Sequence, residues 1–451
     1  MLNIASYRCW ILAGSSLLSA CANTARLEPP PPVVAAEWTV PPAAPSPEPI
    51  ADLAALLGSP ELAALIERAR IASPRILEAT ARIDQARARL RIARGAALPT
   101  LAVGGSLTAN SNNLNRAFDF AANLGTIDAS LSINLAGGVA AVRRSATERA
   151  RAAVIDRQAL EAGLTADLAR SFVARAALKA RLGLLEASIE QASKLQRIIE
   201  LRQQEGVATK VDVGLQAIRV EQLRAEHDRL EQAFQETRVA LALLAGEEAP
   251  GFQSTPAEIT GFLVPALSLP VPSRLIGGRF DVRAAEARIA AAGGDVRAAK
   301  AAFYPTLDVS LSRSAQSFLT SGPLSGISIG ANLLAPIFDR HRLSGNLNEA
   351  AAIERGTVQA YRTVLLTALA DAENGLSAAD HAAKRGVILA SLASHARRTV
   401  ELARQQYIEG DADLRHLLDA QDLLVSAQDA QMQNLQERLE AAIALYRISR
   451  G

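Results

Sequence analysis

Residues 81–107, ARIDQARARLRIARGAALPTLAVGGSL, recur as residues 287–313, ARIAAAGGDVRAAKAAFYPTLDVSLSR, and the two stretches share 12 of 27 residues at a constant offset. About three identities would arise by chance in so alanine-rich a chain, so the sequence is a tandem duplication. Each copy passes from an Ala/Arg-rich helical pattern through Pro-Thr-Leu into alternation of strand type. The alternating residues are Leu101, Val103, Gly105 and Leu107 in the first copy, and Leu307, Val309 and Leu311 in the second. A fold for this chain must therefore run a long helix directly into a strand, twice.

Between these landmarks the chain offers little but helix. From Val139 to about Gln204 there is no proline and almost no glycine, which predicts one helix of roughly 100 Å at 1.5 Å per residue. Gly206-Val207-Ala208-Thr209 breaks it before a second helix over residues 210–245, and the second copy repeats the plan with a break at Gly410-Asp411-Ala412-Asp413. The last helix carries Leu418, Val425, Met432, Leu439 and Tyr446 at every seventh position, a repeat that demands a left-handed supercoil against neighbours. Hydrophobic residues make up 49% of the chain but aromatics only 4%, which suits slender packed helices, because alanine buries little area. The 48 basic and 46 acidic residues are spread along the helices. No basic stripe marks a nucleic-acid partner.

Four strands are predicted, over about 100–110, 127–135, 306–313 and 326–333, with polar loops at 110–115 and 316–323. In the second, Ile127, Ala129, Leu131, Ile133 and Leu135 share one face and Asp128, Ser130, Ser132 and Asn134 the other. No later stretch has the ~20 continuous apolar residues of a spanning helix, so any membrane crossing is by strands. Four strands cannot close a barrel, and open edges are prohibitively costly in a bilayer. Three copies would give twelve strands. The fold expected is mainly α with a membrane β-barrel: duplicated helix-strand-strand-helix halves, a trimeric 12-stranded barrel and a long α-helical coiled-coil barrel.

The two cysteines, Cys9 and Cys21, lie in a leader in which Arg8 is the positive end and Trp10 to Leu18 the apolar core. Leu18-Ser19-Ala20-Cys21 resembles the bacterial lipobox, and the resemblance implies acylation at Cys21 and, with Ala22 next, sorting to the outer membrane. The organisation expected is a signal peptide over 1–20, a lipidated Pro-rich tether over 21–51, a first repeat over 52–248, a connecting segment over 249–278 and a second repeat over 279–451.

The ordered motifs of the second copy carry a family resemblance: Arg279-Phe280-Asp281-Val282 with Glu286, Phe303-Tyr304-Pro305-Thr306, Ala335-Pro336-Ile337-Phe338-Asp339, and Tyr407-Ile408-Glu409-Gly410 with Leu418-Asp419-Ala420-Gln421. From about Asp52 to Arg450 the chain resembles the TolC-like outer membrane factors, in particular the lipoproteins serving resistance-nodulation-division efflux pumps. The resemblance implies a homotrimeric, passive outer membrane channel that carries small molecules and works with a periplasmic adaptor and an inner-membrane transporter. It implies that Gly206, Val207, Ala208 and Thr209, with Gly410, Asp411, Ala412 and Asp413, form adaptor-docking tips. It further implies a periplasmic gate in which Tyr407 bonds Asp212, Asp419 rings the narrowest point, and His416 replaces a second aspartate and makes the aperture pH-sensitive. No phosphate loop, HExxH, GxSxG or metal-ligand spacing is present, so neither an enzyme nor a cofactor beyond the lipid is expected. A conduit for protein or peptide secretion is the nearest alternative, and a lipid-anchored helical structural protein without a pore the alternative from another class.

Overall fold

The computed structural model describes residues 36–40, 52–111, 118–255, 257–265, 269–318 and 322–450. The leader and Cys21 lie outside the described residues. In the first repeat α1 (Leu53–Leu57), α2 (Pro60–Ala72) and α3 (Pro74–Gly95) lead into β1 (Thr100–Ser111) and β2 (Phe118–Asn134), followed by α4 (Gly138–Gln204) and α5 (Lys210–Ala245). A connecting segment with two short 3-10 turns leads to α6 (Pro272–Gly278), α7 (Phe280–Ala301), β3 (Thr306–Phe318), β4 (Gly322–Leu334), α8 (Arg340–Glu409) and α9 (Leu414–Arg450). Ser73 and Pro74 divide α2 from α3 as their sequence requires: proline disfavours a helical residue before it and fits at a first helical position.

The chain forms two compact units. One contains the strands, which form a single antiparallel sheet in the order β1-β2-β3-β4. The strands run further than their alternation predicts. β2 begins at Phe118, and β3 and β4 reach Phe318 and Gly322, so Asn110 and Ser111 of one expected loop and Gln316 to Phe318, Gly322 and Pro323 of the other are paired, while the rest of both loops lies outside the described residues. Those ends, Ala121-Ala122-Asn123 for instance, lack apolar alternation and are recruited by backbone pairing alone. In the same unit α4 starts at the strand end. Asn134 Oδ1 accepts from the backbone N–H of Ala136 and of Gly138, each at 3.0 Å, and its Nδ2 donates to Ala301 O at 3.1 Å. α4 and α7 also meet closely here, since a Cβ on Gly294 would lie 2.9 Å from the Ser145 side chain.

The other unit holds most of the long helices, and the largest core of the described residues lies there. Leu53, Leu57, Leu62 and Leu65 of α1 and α2 pack with Leu168, Phe172 and Val173 of α4 and Leu241 of α5. Phe262 of the connecting segment closes this core edge-on against Phe172, with centroids 6.1 Å apart. α4 and α5 are also joined by Arg175, 5% exposed, whose guanidinium lies 3.9 Å from the centre of the Phe234 ring while its Nη1 donates to Phe234 O at 2.8 Å. Burial lowers the Arg175 pKa, and the neighbouring Arg238 adds to the effect.

Candidate functional site

The sheet carries the first half of the site. Its register places Leu101, Ala129, Leu311 and Ile329 on one rung, with Leu131, Val309 and Ala331 on the next and Ile133, Leu307 and Leu333 beyond. Directly opposed residues share a face, so an apolar band crosses all four strands. Leu101, Ile329 and Leu333 on that band are 71%, 79% and 60% exposed. The other face carries Thr100, Ser130 and Ser310 on one rung and Asp128, Ser312 and Ser328 on another, and a hydrogen bond of 2.7 Å joins the Thr100 and Ser130 hydroxyls. One face is suited to lipid and the other to water, as in barrel walls. β1 and β4 each have one neighbour, so the sheet has two open edges. No described helix is long and apolar enough to cross a membrane.

The second half lies where the long helices turn back. Gly206 and Gly410 have φ of 80° and 86°, a left-handed conformation that side chains resist, and this explains glycine at both breaks. The N–H groups of Val207 and Asp411 satisfy the last carbonyls, of Arg202 at 2.8 Å and Gln406 at 2.9 Å. The first tip is fixed by a capping box. Thr209 Oγ1 accepts from the Asp212 N–H at 3.1 Å, while Asp212 Oδ2 accepts from the Thr209 N–H and hydroxyl, each at 2.8 Å. Four residues on, fully buried Gln216 donates from Nε2 to Ala192 O at 2.7 Å.

The structure does not bring Tyr407 to Asp212 in the way the resemblance implies. Among the described residues no hydrogen bond joins the phenol to that carboxylate, which the Thr209 cap engages instead. Tyr407 is half-buried against Ala403, Leu417 and Ala420, and its ring lies 5.0 Å from the Arg202 guanidinium. His416 and Asp419 are exposed on α9.

Two cross-helix ion pairs were not legible in the sequence. Arg219 of α5 pairs with Asp422 of α9, and Arg181 of α4 holds both oxygens of Asp429, at 2.5 and 3.1 Å. They flank an open groove of about 340 Å³ that Leu223, Leu230 and Val425 also line. Partial burial raises the Asp422 pKa against the opposing pull of Arg219, and Asp419 adds to the rise. The pairs join residues 203 and 248 positions apart, and no sequence pattern marks such a separation.

An amphipathic sheet with open edges, joined to helical hairpins that turn at glycine tips, defines a channel-forming protein of the outer membrane class. The family profile described as "Outer membrane efflux protein" matches residues 65–247 and 271–449, and the chain belongs to that family. It is 32% identical over 408 residues to the "Pyoverdine export outer membrane protein OpmQ" of Pseudomonas aeruginosa, covering 87% of this chain and 86% of the relative. Among solved structures it is similar to a membrane protein from Pseudomonas aeruginosa, with a TM-score of 0.84 and 26% identity, covering 95% and 99% of the two chains. It also shares the fold of the outer-membrane channel OprN, with a TM-score of 0.87 at 22% identity, covering 96% and 99%. The chain is an outer membrane efflux channel protein of bacterial type, working with the other components of a pump.

Proposed function

We propose that three copies of the chain close their sheets edge to edge into a 12-stranded barrel, and that this trimer is the passive outlet of a tripartite efflux pump. The observation that carries the reading is the register-matched sheet, apolar on one face, polar on the other and open at β1 and β4. Each open edge would leave a row of backbone groups unpaired in lipid, a cost of several kcal/mol per group, so closure with other copies follows. The lumen would move small molecules without chemistry, with energy supplied by a resistance-nodulation-division transporter through a periplasmic adaptor. The role of OpmQ in pyoverdine export supports a small-molecule cargo.

In this reading residues 206–209 and 410–413 meet the adaptor, and Asp212, Tyr407, His416 and Asp419 form the gate, with Asp212 acting through its cap. Cys21 carries the lipid, palmitate included. Purified protein should run as a heat-resistant trimer on denaturing gels and lose that band only on boiling. A monomer under all mild conditions would contradict the reading. A Cys21→Ser variant should move from the membrane fraction toward the periplasmic one, or at least lose incorporated palmitate.

A further inference from the structure

The stretch expected to be a Pro-rich tether contains one isolated aromatic residue, Trp38. In the structure Trp38 is 9% exposed. It is seated among Leu269 and Leu275 of the connecting region, Ala372 and Leu376 of α8, and Leu445 and Ile448 of α9. Its indole N–H donates to Pro270 O at 2.9 Å, so the polar end is satisfied as well as the apolar body. Glu373 Oε1 accepts from the Thr39 N–H at 3.0 Å and from the Thr39 hydroxyl at 3.2 Å, and Val40 packs on the same cluster. The seat exists because α8 offers small residues there. A Cβ on Gly375 would lie 2.7 Å from Ile448 Cδ1, so α9 lies against bare backbone at that turn.

We infer that residues 36–40 form a strap whose docking slot lies on the second repeat, and that seated Trp38 sets the packing of α8 against the C-terminal end of α9. The first repeat has no need of such a strap, because α1, α2, Phe252 and Ile259 cover its corresponding ends. On the second repeat Trp38 and the stretch from Leu269 to Leu275 supply that cover. A tryptophan buries 150–250 Å², and its loss here would uncover side chains from the connecting region and both helices at once.

The sequence has two tryptophans, Trp10 and Trp38, so a Trp10→Phe background makes Trp38 the sole fluorophore whether or not the leader is removed. Its emission in the full-length protein should be blue-shifted and poorly quenched by acrylamide. Red-shifted, freely quenched emission would overturn the assignment. A Trp38→Ala variant should exchange amide hydrogens about tenfold faster or more over residues 369–379 and 441–450, with residues 238–245 of the first repeat unchanged. Equal protection in variant and parent would overturn it. Should Trp38→Ala loosen both repeats alike, Glu373→Ala decides: quenching of Trp38 should rise with the fold intact, and unchanged quenching would refute the strap.

Discussion

At the end of α5 the chain lies backbone against backbone. Gly246, at a φ of 77°, sits where a Cβ would come within 2.5 Å of Ala72 O and 2.8 Å of Ser73 Cα. In the second repeat the residue equivalent to Ser73 is Arg279, and the end of α9 is held by a side chain. Arg279 Nη1 donates to Ile448 O at 3.0 Å, while Asp281 grips the same guanidinium at 3.0 and 2.7 Å. The tips differ in the same sense. Aligned on Gly206 and Gly410, the positions of Thr209, Asp212 and Gln216 are taken by Asp413, His416 and Ala420. Neither the carboxylate that closes the box nor the buried amide recurs, and Arg415 and His416 place basic groups at a helix start, where the dipole disfavours positive charge. Each hairpin has a buried amide of its own, Gln216 donating to Ala192 O in the first and Asn434 donating to Ala382 O in the second, but only the first carries its amide close to the tip; the second is held to the first by the Arg219–Asp422 and Arg181–Asp429 ion pairs and by Tyr407 under Arg202. Duplication supplied one frame, and its later divergence left the tip of the second hairpin without the capping box and the nearby buried amide that fix the first.

The largest test of this contrast is Gly246→Ala, which adds a backbone clash to a strained φ and should cost about 3 kcal/mol or more in unfolding experiments. Gly206→Ala and Gly410→Ala meet only open space and should cost about 1 kcal/mol each, so equal losses at all three sites would break the comparison. Next comes Arg279→Met, which leaves Asp281 and the Ile448 carbonyl without their donor. A loss of roughly 2–4 kcal/mol is expected, with hydrogen exchange raised at the end of α9 and not at the end of α5. Thr209→Ala should cost about 1 kcal/mol and fray the start of α5 in exchange experiments, sharpening the claim that the first tip is the fixed one.

The smallest effect is one of pH. The folded pKa of Asp422 is raised, so its ionised form is the less favoured in the fold, and stability falls as pH rises from the ordinary carboxylate value through the raised one. Asp422→Asn should abolish the slope and change stability at neutral pH by less than about 1 kcal/mol, because the carboxylate is half exposed and screened. Thermal unfolding from pH 4 to 7 checks both.

Much of this was legible because it is periodic or forced. The absence of proline announced α4 and α8, and glycine at 206 and 410 announced the turns, because left-handed backbone favours glycine. The strand cores showed through alternation. Their ends did not, since Ala121 to Asn123 pair through backbone without a patterned face. At the tips the sequence could place Asp212 but not its bonds. Thr209, three residues away, is a nearer partner for its carboxylate than any group across the hairpin. Arg181 with Asp429 and Trp38 with Pro270 are contacts between distant positions. Trp38 did leave a signal in retrospect, as a lone aromatic in a proline-rich run.

The most direct test of the account is single-channel conductance in planar bilayers, comparing the wild type with an Asp422→Ala/Asp429→Ala variant that frees the second hairpin from the first. The account predicts a small, cation-selective conductance in the wild type that increases in the variant. A wild type that forms no pore, or a variant whose conductance is unchanged, would contradict it.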